Sequence, residues 1–442
     1  MSHYKPYPAY RESGVEWIGA VPEHWAVRSV KHLYAARLGK MIQPQPKSDE
    51  DILVPYHRAQ TVQWERVQHD QVESMWANPS EVAAYSLEEG DLLICEGGDV
   101  CRAAIFNKVE QENVIFQNSI HRVRPLGDNQ PEWLLRLMQL VRDSGWIDVL
   151  CNKNTIVHFT SDKIASLECP HPSPFEQAEI LRSLRRETAR IDALITKKTR
   201  FIGLLKEKRQ ALITHAVTKG LNPSVSMKDS GVEWIGEVPE HWAVSRLGHF
   251  ASVENGTTPS KDNEAFWLNG TIPWLGSGEV NQQIVTKATE NITLLALRSC
   301  SLRLLPIDTV IIGMVGQGKT RGLAAILKIE AAINQNLAAI CPSPKLRPLF
   351  LLYVFRAAYE WIREAGRGSN QAAMNCEIIR EFRFGIPSID EQDQIISKLS
   401  AINYRIDLLT TKTQHSIDLL KERRSALITA AVTGQIDLRE SI

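Results

Sequence analysis

One stretch of this chain is written twice. Gly14-Val15-Glu16-Trp17-Ile18-Gly19-Ala20-Val21-Pro22-Glu23-His24-Trp25-Ala26-Val27 returns from Gly231 to Val244, and only Ala20/Glu237 differs. The two copies lie 217 residues apart in a chain of 442. Solenoid units repeat every ~20–50 residues, so this period belongs to a duplicated domain with its connector. A duplicated module presents two similar surfaces on one chain.

The duplication continues beyond the block. Phe116-Gln117-Asn118-Ser119-Ile120 parallels Asn334-Gln335-Asn336-Leu337-Ala338, and Pro131 parallels Pro348. Phe175-Glu176-Gln177 parallels Asp390-Glu391-Gln392, and Ala211-Leu212-Ile213-Thr214 parallels Ala426-Leu427-Ile428-Thr429. Leu204-Leu205-Lys206-Glu207 likewise parallels Leu419-Leu420-Lys421-Glu422. Between these blocks the sequence diverges almost completely. Matching blocks suit identical partners or each other, and divergent regions suit two different targets.

Length gives room for about three domains, and each variable region is long enough to bury a core of its own. Formal net charge is zero, with 51 Lys+Arg against 51 Asp+Glu, so any nucleic-acid surface is a local basic face. The seven cysteines include no CxxC pair, which suits a reduced cytoplasmic setting and argues against a disulfide scaffold. No apolar run reaches the ~18–20 residues of a membrane span, and the first ten residues lack a signal-peptide core.

Two long helices are expected. Ser173-Pro174-Phe175-Glu176 and Ser388-Ile389-Asp390-Glu391 both read as capped helix starts. Apolar residues then recur at heptad spacing: Leu184, Ile191, Leu205 and Leu212 in the first copy, Leu399, Ile406, Leu420 and Leu427 in the second. This is a two-helix seam of coiled-coil type. Gly220 and Gly434 suit the helix ends. About 45 residues at ~1.5 Å each span roughly 65–70 Å, close to two turns of B-DNA at ~34–36 Å per turn. Residues 175–220 carry 11 Lys/Arg against 5 Asp/Glu, whereas residues 389–434 carry 6 of each.

Each variable region offers short β-type runs and one amphipathic helix, a mixed α/β domain. Arg, Lys, Asn and Gln are the side chains that pair with base edges, and Lys and Arg also hold phosphates. They cluster in the expected loops. The first region has Lys40, Arg58, Gln60, Arg102, Arg122, Arg124, Lys153 and Asn154. The second has Lys261, Lys319, Arg321, Arg367, Ser369, Asn370 and Gln371.

Gly313-Met314-Val315-Gly316-Gln317-Gly318-Lys319-Thr320 fits the P-loop pattern G-x-x-x-x-G-K-[ST]. Arg321-Gly322 opens a helix poorly, and no later strand ends in an Asp placed for magnesium. The parallel place in the first copy, Glu96-Gly97-Gly98-Asp99-Val100, lacks Lys and Thr. A glycine turn between strands is the better reading. Motifs for base methylation, acyl transfer or zinc hydrolysis are missing from the sequence, and the duplicated His24 and His241 read as structural.

With these residues set out, the chain resembles the specificity (S) subunit of type I restriction-modification systems. The resemblance rests on the duplicated Gly14–Val27 block, on Gly256-Thr257-Thr258-Pro259-Ser260 with Gly270-Thr271-Ile272-Pro273-Trp274, on the Glu-Gln helix starts and on the Gly313–Thr320 loop. In the first copy Leu38-Gly39-Lys40-Met41 stands in place of the Gly-Thr-Thr-Pro-Ser segment. The resemblance implies an α+β fold with two mixed α/β target-recognition domains, joined by two long antiparallel coiled-coil helices with pseudo-twofold symmetry. The expected boundaries are a shared segment 1–27, recognition domain 28–172, helix 173–220, repeated segment 221–244, second recognition domain 245–387 and helix 388–442.

The resemblance further implies a non-catalytic subunit of the cytoplasm. Each domain would read half of a split, asymmetric duplex DNA target. The helices would set the spacer and dock two methyltransferase subunits that carry S-adenosylmethionine. Restriction subunits would supply ATP- and magnesium-dependent translocation and cleavage. Two other classes stand beside this one: a P-loop nucleotide-binding protein, and a two-headed scaffold that binds only proteins.

Overall fold

The computed structural model describes residues 4–107, 113–151, 158–315, 319–365 and 374–439. Two long helices dominate it, Pro174–Lys219 and Ile389–Val432. Both begin where the capping serines predict: the Ser173 hydroxyl accepts the Glu176 N–H, and Ser388 accepts that of Glu391, each at 3.3 Å. Both stop against a glycine in the left-handed conformation, Gly220 at φ +75° and Gly434 at φ +73°, the usual way a helix terminates.

The chain divides into two compact units, residues 1–198 with 415–442, and residues 199–414. The divisions fall inside the long helices, so each unit holds a piece of both. In the first unit the helices run antiparallel, with Asp192 paired to Arg424 at 3.0 Å. In the second the equivalent pair is Asp407 with Arg209.

Six of the eight expected seam residues, Leu184, Ile191, Leu205, Leu399, Ile406 and Leu427, are buried. Leu212 and Leu420 are half-buried instead. Beside them Ile213, Ala216 and Val217, and Ile428, Ala430 and Ala431, take the interior positions. An α-helix turns every 3.6 residues, so a strict heptad drifts by ~20° per repeat and the inward face moves on by one residue.

The variable region of the first unit is built on an antiparallel sheet. Its strand order is Ala103–Ile105, Leu92–Cys95, Ile120–Pro125, Tyr34–Leu38, with Val123 opposite Ala36 and Leu92. Leu92, Leu93, Ile94 and Cys95 are all buried, because the sheet packs on both faces. One face meets the helix Pro131–Asp143, whose Trp133 lies in the main core. The other face meets a smaller core around Phe106 and Phe116.

The second unit repeats the plan. Ala251–Asn255, Leu337–Pro342, Val310–Gly313 and Ala324–Leu327 form an antiparallel sheet, extended by Ile284–Val285 pairing parallel to Ala324–Leu327. The helix Pro348–Ala357 covers it through Phe350, Leu351, Val354 and Phe355. Burying such side chains contributes roughly 1.5–3 kcal/mol each. A mixed α/β domain flanked by long antiparallel helices, stated twice, is the fold expected from sequence.

The departed segment keeps its place. A Cβ on Gly39 would lie 2.3 Å from the Gln117 carbonyl oxygen, and one on Gly256 would lie 1.7 Å from that of Ile333. Both glycines allow the same close crossing of backbones, so Leu38-Gly39-Lys40-Met41 is the structural counterpart of the Gly-Thr-Thr-Pro-Ser segment.

Candidate functional site: recognition surfaces and their mounting

The duplicated block is a clamp on the start of each long helix. In the first unit Trp25 is fully buried and its indole Nε1 donates to Glu176 Oε1 at 3.1 Å. His24 Nε2 lies 3.1 Å from Glu176 Oε2, and the Tyr7 hydroxyl donates to Oε1 at 3.1 Å. Burial and the facing carboxylate push the Tyr7 hydroxyl far above its ordinary range. In the second unit Trp242 Nε1 donates to Glu391 Oε2 at 3.0 Å, and His241 Nε2 lies 2.9 Å from the same oxygen. The histidines are therefore structural, as expected. Sequence reasoning assigned these glutamates only to helix capping, whereas their carboxylates hold the block.

The neighbouring glutamines make a second clamp that sequence reasoning missed. Gln177 Oε1 accepts the N–H of Gln130, the residue just before the helix Pro131–Asp143, at 3.1 Å. Gln392 Oε1 accepts the N–H of Arg347, just before Pro348–Ala357, at 2.8 Å. Both glutamines are fully buried, and their amides donate to Pro172 and Pro387 carbonyls. Each Glu-Gln pair thus grips the shared block with one side chain and the variable region's helix with the next. The only signal was the duplicated Glu-Gln dipeptide.

The first region's candidate residues are largely held by the protein. Lys40 is buried and donates to Glu81 at 2.6 Å and Gln43 at 3.1 Å. Arg58 pairs with Glu73 at 2.7 Å, and Arg102 donates to the Ala59 carbonyl at 2.7 Å. Gln60 is exposed. Arg122 and Arg124 correct the loop expectation, since both lie in the strand Ile120–Pro125. The alternating run there pairs with strands on both sides and fixes them in the sheet. Arg122 donates to the Ser86 carbonyl at 2.6 Å, and burial lowers its affinity for a proton. Arg124 is bidentate to Asp91 at 2.6 and 2.9 Å, which raises its own. Lys153 and Asn154 lie outside the described residues.

In the second region Lys261 donates to Glu290 at 2.5 Å and sits 3.4 Å above the Trp267 ring centroid, a cation–π contact. Trp267 and Trp274 meet edge to face beneath it, 5.2 Å apart. Lys319 is exposed. Arg321 is buried and donates to the Arg363 carbonyl at 2.8 Å. Arg367, Ser369, Asn370 and Gln371 lie outside the described residues.

The P-loop match lacks P-loop architecture. Val310–Gly313 is followed by the antiparallel strand Ala324–Leu327, with no helix among the described residues between them, and Gly313 bridges directly to Arg321. A Cβ on Gly313 would lie 2.3 Å from the Thr320 carbonyl oxygen, which explains the glycine without a phosphate. The first unit has the same hairpin in Leu92–Cys95 and Ala103–Ile105. Among the described residues, no group of three or more His, Cys, Asp or Glu is placed to hold a metal ion. No described helix is long and apolar enough to cross a membrane.

Comparison with known proteins agrees with this geometry. The family model of the type I restriction modification DNA specificity domain matches residues 239–417. A putative type I restriction enzyme MjaX specificity subunit of Methanocaldococcus jannaschii is 23% identical, over 96% of both chains. The EcoR124I/EcoR124II specificity subunit of Escherichia coli is 24% identical over 45% of this chain, which spans about half (48%) of that relative. Among solved structures, a chain from a type I R-M system, studied for its complex assembly and conformational transition, superimposes with a TM-score of 0.71 at 14% identity. That match covers 93% of this chain and 98% of the other. The HsdS subunit from Thermoanaerobacter tengcongensis gives 0.55 at 14% identity, covering 94% and 98%. The structural likenesses establish the fold, and the sequence matches make the chain similar to the specificity subunits of type I restriction-modification systems.

Proposed function

We propose that this chain gives a type I restriction-modification complex its DNA sequence specificity. The two divergent domains read the two halves of a split, asymmetric target. The helices set the number of unread base pairs and dock two methyltransferase subunits. Restriction subunits join the same complex, and S-adenosylmethionine, ATP and magnesium act on the partners. The observation that carries the reading is the duplicated mounting: the same Trp–Glu and Gln clamps seat two unlike domains on the same two helices.

Two mountings on one chain make the second half-site encounter effectively intramolecular, so modest half-site affinities combine. The readers we propose are the exposed Gln60 and Lys319, with Lys153, Asn154, Arg367, Ser369, Asn370 and Gln371. Lys40, Arg58, Arg102, Arg122, Arg124, Lys261 and Arg321 support the reading loops from beneath. The division proposed with this reading is shared segments 1–27 and 221–244, recognition domains 28–172 and 245–387, and helical segments 173–220 and 388–442.

The test is duplex retention by the complex reconstituted with its modification subunits. One split sequence should be retained, and a duplex with the same half-sites but one more spacer base pair should not. A protein-only scaffold would retain no duplex selectively, and that result would end the proposal.

A further inference from the structure

A helix pair fixes the distance between half-sites only if each reading domain is rigidly tied to it. In the first unit that tie converges on one side chain. Glu65 sits at the tip of the hairpin Val62–Gln63/Arg66–Val67, in the left-handed conformation at φ +62°. This conformation is uncommon for a residue other than glycine.

Its Oε1 receives three donors: Arg136 at 2.8 Å and Gln139 at 2.6 Å from the helix Pro131–Asp143, and Arg424 at 2.8 Å from the second long helix. Arg424 also holds Asp192 on the first long helix at 3.0 Å. Arg136 is itself braced by Glu132 at 2.9 Å, and Glu132 takes Arg185 of the first long helix at 2.6 Å. Reading domain and both helices thus share one chain of charged hydrogen bonds, the strong class. Burial pushes the Glu65 carboxyl up, yet the two guanidiniums hold it below its ordinary value.

The second unit has the same hook with different chemistry. Gln283 takes the place of Glu65, again at φ +62°. It accepts Arg356 at 2.5 Å, and the Arg356 carbonyl accepts Gln210 of the first long helix at 2.9 Å. The matching backbone at two positions of unlike sequence marks the hook as part of the mounting. The ionised version occurs at Glu65 alone of the two.

We propose that Glu65 is a positioning residue for spacer selectivity: it locks the first reading domain to the helix pair, so that one spacer length is accepted. The inference rests on the function proposed above. One extra base pair shifts a half-site by ~3.4 Å and turns it by roughly 35°, at 10–10.5 base pairs per turn. Misplacement of ~1 Å can cost a reaction about a hundredfold, so a firm tie should give sharp discrimination.

The experiment uses the reconstituted complex. Methylation is measured on duplexes with constant half-sites and spacers that differ by one base pair either way. Wild type should prefer one spacer by about a hundredfold. Glu65→Ala should lower that preference by about tenfold with the same half-sites read, and Glu65→Gln, the chemistry of the other unit, should restore most of it. A general loss of fold would slow all spacers alike and leave the ratio intact. An unchanged ratio in soluble Glu65→Ala, or in Glu65→Lys should Ala fail to assemble, overturns the inference. Absence of bipartite methylation by wild type would instead overturn the function on which it rests.

Discussion

The two helix-start glutamates do the same work in unequal surroundings, and that inequality predicts a measurable difference. The Glu176 side chain is 7% exposed and faces Trp25, Tyr7, His24 and, at 3.4 Å, Arg439. The Glu391 side chain is 22% exposed and faces Trp242 and His241. Glu176→Ala strands a fully buried indole N–H and the hydroxyl of the buried Tyr7. Each unsatisfied buried donor costs about 1–3 kcal/mol, so we expect about 3–5 kcal/mol in the first unit. Glu391→Ala strands one indole N–H in a wetter site and should cost about 1–2 kcal/mol. Loss of an acidic group from a helix's first turn costs ~0.3–1 kcal/mol in either case and cancels in the comparison. Hydrogen exchange resolved to peptides suits the assay, because two units need not unfold together. The first-unit helix start should open more easily in Glu176→Ala than the second-unit start does in Glu391→Ala, by about 2 kcal/mol. Equal effects, or a larger one at Glu391, would refute the assignment of these bonds as the clamp.

Inserting one helical turn, about 5.4 Å, into both long helices should lengthen the recognised spacer by one or two base pairs and leave both half-sites unchanged. Methylation mapping that returned altered half-sites would count against the helices as the spacer. Equilibrium dialysis should find no ATP retained by the isolated chain, and Lys319→Ala should leave that result unchanged, because Val310–Gly313 leads into the antiparallel strand Ala324–Leu327. Retention abolished by that substitution would restore the nucleotide reading. Acid should weaken the first unit. Burial lowers His57 to about 4, helped by neighbouring His69, and burial lowers His121 to about 4. An unfolded histidine titrates near 6.5. The folded state therefore favours the neutral form, and its contribution is fully present above about 6.5 and lost as pH falls toward 4. The loss is up to about 3 kcal/mol for each histidine. Thermal melts from pH 7.5 to 4.5 should show it, and His121→Gln should flatten the slope; an unchanged slope would refute it.

The sequence made the duplicated plan legible because its signals are local. A serine three residues before a glutamate starts a helix, heptad leucines face a partner, and a glycine closes the end. The clamps were not legible, because Trp25 and Glu176 are joined only after the chain has folded back through a whole domain. The same distance hid the state of the basic residues. Residue type marks Lys40 and Arg124 as phosphate seekers, but their carboxylates, Glu81 and Asp91, arrive from elsewhere in the sequence. Seam residue Leu212 yielded the interior to Ile213 because helical twist departs from the heptad. Selection by polarity also passed over Met41 and Ile42, 74% and 50% exposed beside Lys40, and the Trp267–Trp274 pair under Lys261.

The most direct measurement maps methylated adenines in host DNA with and without this chain. The account predicts one split motif, two short half-sites around a fixed unread spacer, that disappears when the chain is deleted. It also predicts that replacing residues 245–387 with the matching domain of a relative changes one half-site only. A methylation pattern indifferent to the deletion would contradict the central claim.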